Sequence, residues 1–266
     1  MFDEPFALSA AELRAIAAEG KPPHPVDLIL ERHDVEFDEQ GRAHTRLWRI
    51  YAIRDERYLG AVGAVRATWA PWFQDPPEIR ARVLAAHEER WLDPTDLMIR
   101  DEEMASPILY GDRKTIAAPL PQVGLGSIVE VTIRTRNHGV QLEAGTALEY
   151  PLRPCRRFEI HAKAPQGLPM HCAGRGADDV PAVLVEDGLK RWSVRHDDLE
   201  MPRHTDLVPP DWNELPVYAI GTADSWDTVA RDYADLVEGV ISEPPAHWVE
   251  KIVDAPDDAA KDRGRQ

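Results

Sequence analysis

The sequence predicts an all-β protein: an antiparallel β-sandwich with a short N-terminal helix and a C-terminal amphipathic helix. Residues 119–136 give the first reason. A Pro-Leu-Pro-Gln-Val-Gly-Leu-Gly turn runs into Ser127-Ile128-Val129-Glu130-Val131-Thr132-Ile133-Arg134, where apolar and polar side chains alternate. Period-two alternation buries one face of a strand and wets the other. Similar turn signals recur every 8–12 residues, the spacing of sandwich folds. The third reason is the 23 prolines among 266 residues. Proline is excluded from helix interiors and central strands, so this count implies many turns and few long helices.

In chain order, residues 8–20 read as a short helix. Ser9 caps it, Glu12 completes a capping box and Gly20 ends it. Lys21-Pro22-Pro23 then extends the chain. Val26 to Phe37 and residues 42–54 form a long hairpin about the turn Asp38-Glu39-Gln40-Gly41. Ala61 to Thr68 continues as strand, and residues 69–77 are irregular and aromatic. Ile79 to Ala85 pairs with Glu88 to Leu92 about Ala86-His87, and Leu97 to Asp101 completes that unit. Residues 102–121 read as a loop. Strands follow near 127–136, 140–150, 155–164, 168–173, 182–186, 189–196 and 199–204.

After a proline-broken stretch, Asp224-Ser225-Trp226-Asp227 starts a helix. Trp226, Val229, Tyr233, Leu236, Val237 and Val240 share one face of it, and Ser242-Glu243-Pro244-Pro245 stops it. The resulting organisation is a helical arm at 1–24, a sandwich at 25–221, and a helix with a charged linker at 222–266.

The net charge of −16 opposes a phosphate backbone, so nucleic acid is excluded as the partner this composition favours. No apolar run approaches the ~20 residues of a membrane-spanning helix. Met1-Phe2-Asp3-Glu4-Pro5 lacks the basic region and apolar core of a signal peptide.

No catalytic constellation stands out. Cys155 precedes Arg156-Arg157, which would lower its pKa if it were exposed, yet it starts a strand rather than a helix. Cys172 neighbours His171, but adjacent strand residues point to opposite faces and form no dyad. If 155–172 is a hairpin about Gln166, Cys172 lies opposite Ile160 and ~17 Å from Cys155, so the two are expected as free thiols. The histidines lack metal-ligand spacing, and the acidic run Asp93, Asp96, Asp101, Glu102, Glu103 lacks the calcium-loop pattern. Neither a metal nor a cofactor is therefore expected. The expected interaction surface comprises Trp69, Trp72 and Phe73 together with Trp226 and Tyr233. The first group either plugs an end of the core, meets a partner, or stacks on a sugar.

Several segments carry a resemblance. Pro71-Trp72-Phe73-Gln74, Arg80 to Leu84, Leu92 to Asp96, Pro119 to Glu130, Trp192 to Pro202, Pro216-Val217 and Ala223 to Trp226, in that order, resemble the bacterial family DUF3857. The resemblance covers roughly residues 25–240 and rests most on the Gly126-Ser127-Ile128-Val129-Glu130 and Ser225-Trp226 segments. It implies a β-sandwich that precedes a transglutaminase-like catalytic domain, in an exported, periplasmic or extracellular protein. The catalytic Cys, His and Asp would lie downstream, and this chain stops at Gln266 without a leader, as a trimmed mature part would. The expectation is a non-catalytic accessory domain that positions the catalytic domain or holds a protein or cell-envelope partner. The alternatives are a carbohydrate-binding module built on Trp69, Trp72 and Phe73, and a cysteine-dependent hydrolase; a cytoplasmic location is the alternative to export.

Overall fold

In the computed structural model, residues 2–19, 24–85, 88–101, 113–139, 145–149, 154–175, 180–200 and 217–242 are described. They form α1 (Ala10–Ala18), β1 (Val26–Phe37), β2 (Ala43–Ile53), α2 (Leu59–Val62), β3 (Ala64–Trp69), β4 (Glu78–Leu84), β5 (Glu89–Trp91), β6 (Met98–Asp101) and β7 (Lys114–Pro119). Then follow β8 (Ile128–Arg136), β9 (Gly145–Glu149), β10 (Cys155–Pro165), β11 (His171–Arg175), β12 (Leu184–Glu186), β13 (Leu189–Leu199), β14 (Val217–Gly221) and α3 (Trp226–Ser242). The chain divides into two compact units, Met1–Thr222 and Ala223–Gln266. α3 belongs to the second and is described by itself.

The first unit is mostly β, in three sheets. The large one has eight strands in the order β12-β13-β10-β1-β2-β8-β4-β5; the small ones run β11-β14-β9 and β3-β7-β6. Among the described strands of the large sheet, β1 and β10 alone pair in parallel. Val35, Tyr51, Val129 and Phe158 of the large sheet share one apolar cluster with Trp69 and Ile116 of one small sheet and Tyr218 and Ile220 of the other. This side of the large sheet is its inner face. A second cluster on the outer face joins Leu30, Trp48, Ile50 and Ile128 to Phe2, Leu13 and Ala17 of the N-terminal segment.

α1 forms where its capping box predicts. Glu12 N–H donates to Ser9 Oγ (3.3 Å) and Ser9 N–H to Glu12 Oε2 (2.7 Å). Its last turn has no basic residue of its own, and arginines of the sheet supply the donors that its free carbonyls need. Arg156 donates to Ile16 O (2.7 Å) and Arg54 to Ala17 O (2.5 Å), and Asp27 accepts from both arginines.

The N-terminal segment is also held by one buried carboxylate. Glu130 accepts from Arg82 (2.6 and 2.8 Å), from the Trp48 indole (3.0 Å) and from the Phe6 N–H (2.7 Å), and Arg82 reaches on to Leu8 O (2.6 Å). Phe6 adopts φ 64° to aim its N–H there.

Several strand assignments differ from expectation, among them β14, the middle strand of its small sheet, which falls where the sequence pattern predicts no strand. β10 does not fold back onto 168–173: β1 and β13 occupy both its edges, so β11 leaves to pair with β14. Lys114–Pro119, expected as loop, is β7, between β3 and β6. β6 therefore belongs to a small sheet and not to the β4–β5 hairpin. Leu59–Val62 is a helical turn, so the expected strand begins at Ala64. The expected strand at 199–204 and the stop after Ser242 lie mostly outside the described residues.

Candidate functional site

The inner face of the large sheet holds a buried ionic cluster that simple alternation does not reveal. Val26 and Leu28 point inward, but the β1–β2 register shifts between Leu28 and Leu30. Ile29 and Leu30 both go to the outer cluster, and from there odd-numbered residues face inward. Glu31 and His33 are thereby turned into the interior, opposite Arg49 and Leu47 of β2.

Glu31 is 3% exposed, accepts from Arg49 Nε at 2.6 Å, and lies 3.0 Å from His33 Nε2. Burial works against its charged form. The hydrogen bonds from His33 and Arg49, and the Arg49 charge, outweigh burial and hold the carboxyl down at about 2. Glu31 thus stays ionised near neutral pH and is no proton donor there.

Glu31 and Arg49 line a cleft of about 350 Å³. Its floor is Leu28, Leu47, Tyr51 and Val131; its roof edge is Ala61 to Arg66 and Leu120. Tyr51 donates to Val62 O (2.9 Å), tying roof to floor.

Cys155 lies on the same inner face, 2% exposed, and its thiol donates to Arg157 O at 3.0 Å. Burial, and then the nearby Glu31 charge, push that thiol up to about 12. Burial alone pushes Cys172 to about 12. These shifts oppose nucleophilic activation, which requires a lowered pKa. Both cysteines are free thiols. Among the described residues no group of three or more His, Cys, Asp or Glu is placed to hold a metal. Nor is any helix among them long and apolar enough to cross a membrane.

The aromatic group is split by a tight turn. Gln74 N–H donates to Ala70 O (2.9 Å), and Ala70 N–H donates to Gln74 Oε1 (3.0 Å). Trp69 and Phe73 are turned into the interior, 3% and 9% exposed; Trp72 is half exposed and leans on Phe73 with ring centroids 4.4 Å apart. Phe73 O accepts from His138 N–H (2.9 Å) and Gly139 N–H (3.2 Å), fixing the turn to the end of β8. Of the three rings proposed for stacking, only Trp72 is thus presented at the surface. On α3, Trp226 and Tyr233 are exposed, and Ser225 Oγ accepts from Thr228 N–H (3.2 Å) as the cap.

Sequence reasoning missed Glu31, Arg49 and the Glu130 anchor. The signal for Glu31 was the unbroken apolar run Leu28-Ile29-Leu30, which interrupts the alternation.

Residues 40–203 match the family model described as "Domain of Unknown Function with solved-structure structure (DUF3857)". No curated protein matches the chain. The solved structure of the "putative protease" from Parabacteroides distasonis aligns at TM-score 0.65 and 12% identity, over 89% of this chain and 52% of that one. The chain thus spans about half the length of that protein. The M1 zinc metallopeptidase of Deinococcus radiodurans aligns at TM-score 0.36 and 10% identity, over 75% of this chain and 43% of its own. Yeast LTA4 hydrolase does so at 0.36 and 8%, over 74% and 29%. At that likeness neither bears on what this chain does.

Proposed function

The chain belongs to the DUF3857 family, and from that premise we propose that it is a non-catalytic interaction domain of a longer protein. Its layers act as a β-sandwich that positions a transglutaminase-like or protease domain, or holds a protein partner, in an exported setting. One observation carries the reading. Nearly all of this chain superposes on about half of the longer Parabacteroides protein, so the same fold there leaves a separate half for chemistry. The two thiols held near 12 by burial support it.

The test is direct. The purified chain is assayed for peptide hydrolysis and acyl transfer, before and after treatment with a thiol electrophile, and no turnover is expected. Turnover abolished by Cys155→Ala or Cys172→Ala in a folded protein would overturn the reading. Fractionation of cells expressing the full gene product tests the exported setting; recovery in the cytoplasm alone would refute it.

A further inference from the structure

The outer face of the large sheet is divided. One half is apolar and carries α1 and the N-terminal segment. The other half is charged and open. Register sets its side chains in two cross-strand rows: Arg134, Arg46, Asp34, His161 and Ser193, then Arg136, His44, Glu36, Lys163 and Arg191. These rows line an open trough of about 640 Å³, walled at the β13 side by Pro181 to Leu184. The Trp192 indole, which donates to Pro181 O at 2.9 Å, holds that wall.

Six cations line the trough (Arg32, Arg46, Arg134, Arg136, Lys163, Arg191) against two carboxylates, Asp34 and Glu36. The chain as a whole carries −16, so all of that excess negative charge lies elsewhere. The two carboxylates are already engaged. Asp34 is shared by Arg32 (2.9 Å) and Arg46 (2.8 Å), and Glu36 is bound by Lys163 (2.9 Å). The exposed side chains of Arg134 and Arg191 make no ion pair or hydrogen bond among the described residues, whereas Arg136 lies 3.5 Å from Glu78 of β4, which also stands opposite Arg134. A cross-strand ion ladder that only stabilised the sheet would balance its charges; this one, with Arg136 paired to Glu78, still leaves the Arg134 side chain over at one end and the Arg191 side chain at the other.

We propose that this trough receives an extended acidic peptide segment, about six residues long, from a partner protein. The proposal rests on the interaction reading above and names the partner's chemistry. From β8 to β13 is four interstrand steps, about 19 Å at ~4.8 Å each, which six extended residues span at ~3.3 Å per residue. Acidic groups near both ends of the segment meet Arg134 and Arg136 at one side and Lys163 and Arg191 at the other. Single-stranded nucleic acid fits poorly. It requires exposed aromatic faces for its bases, and Trp192, whose neighbours Arg191 and Ser193 line the trough, is buried from the other side. A long polyphosphate would also meet the acidic remainder of the surface.

The test is a titration of the folded chain with a fluorescein-labelled Glu-Glu-Ser-Ser-Glu-Glu peptide at low salt, with a labelled oligothymidylate in parallel. The expected result is saturable peptide binding that weakens at least tenfold in Arg134→Glu/Arg191→Glu and several-fold on raising salt from about 50 to about 300 mM. The Arg100→Glu variant on β6 makes the same kind of charge change away from the trough and is expected to bind as wild type. Both substituted arginines are exposed, so the thermal midpoint should not move. No peptide binding, equal weakening by Arg100→Glu, or tighter binding of the oligothymidylate would overturn the proposal. Each of those results leaves the non-catalytic reading standing, since that one fails only on turnover.

Discussion

Replacing Glu130 by alanine is the sharpest structural test of how the N-terminal segment is held. Glu130 is 1% exposed and Arg82 is 4% exposed. The substitution removes the carboxylate from a guanidinium that stays buried, with only Leu8 O (2.6 Å) and the more distant Glu89 (3.4 Å) as partners. Breaking a buried pair by deleting one member costs about 3–5 kcal/mol. The Trp48 N–H loses its acceptor too, and an orphaned buried donor costs about 1–3 kcal/mol. Peeling of residues 2–19 would let water reach Phe6 and Arg82 and would recover part of that loss. The expected outcome is therefore a stability loss of about 3–5 kcal/mol in urea unfolding, with early proteolytic cleavage before Val26. The double variant Arg82→Met/Glu130→Leu should recover most of it, because no uncompensated charge remains. A loss under about 1 kcal/mol for Glu130→Ala, with the N-terminal segment still protected, would refute the account.

Three further outcomes are expected. Cys155, held near 12, should react with iodoacetamide at pH ~8 roughly a thousandfold more slowly than in the urea-unfolded chain, whose thiols titrate near ~8.5; equal rates would contradict the assigned burial. The Glu31 carboxyl lies at about 2 when folded, against ~4.3 unfolded, so its charged form contributes about 3 kcal/mol above pH ~4.3, lost as pH falls toward 2. The stability gap between wild type and Glu31→Gln should therefore shrink between pH 6 and 3, and a constant gap would show that the cluster does not hold the charge. Trp69→Ala should cost about 3–5 kcal/mol and Trp72→Ala about 0.5 kcal/mol or less; similar losses in thermal unfolding would mean that the turn does not sort the two rings as described.

What the sequence made legible was local. The β1–β2 hairpin follows from alternation and from Gly41, whose φ of 77° closes the turn. The α1 capping box is realised atom for atom. Non-local pairing was not legible. β1 pairs in parallel with β10, more than 120 residues away, as Leu28 beside Cys155. No local pattern distinguishes that neighbour from β11, whose spacing and turn suited a hairpin equally well. The role of the Gly126–Glu130 segment was likewise hidden, because an acidic residue in an alternating strand reads as a wet position. Glu130 does lie on the face opposite Val129 and Val131, but that face is covered by a segment more than a hundred residues earlier.

The register shift at Ile29 accounts for more of the molecule than its single residue suggests. Had the alternation set by Val26 and Leu28 continued, Arg32, Asp34 and Glu36 would point into the inner cluster, and Val35 and Phe37 would point to solvent. A one-residue slip exchanges the two faces of a strand, and here the exchange occurs inside β1, near its start. At the shift itself, Ile29 and Leu30 give the outer face the apolar floor on which α1 sits. Downstream of it, Arg32, Asp34 and Glu36 give that same face its charged half. On the inner side the shift places Glu31 against Arg49 and near Cys155, where its charge helps keep the thiol protonated. The buried cluster, the helix-covered patch and the open trough are therefore products of one insertion in one strand. A purely periodic reading of the sequence inverts all three together.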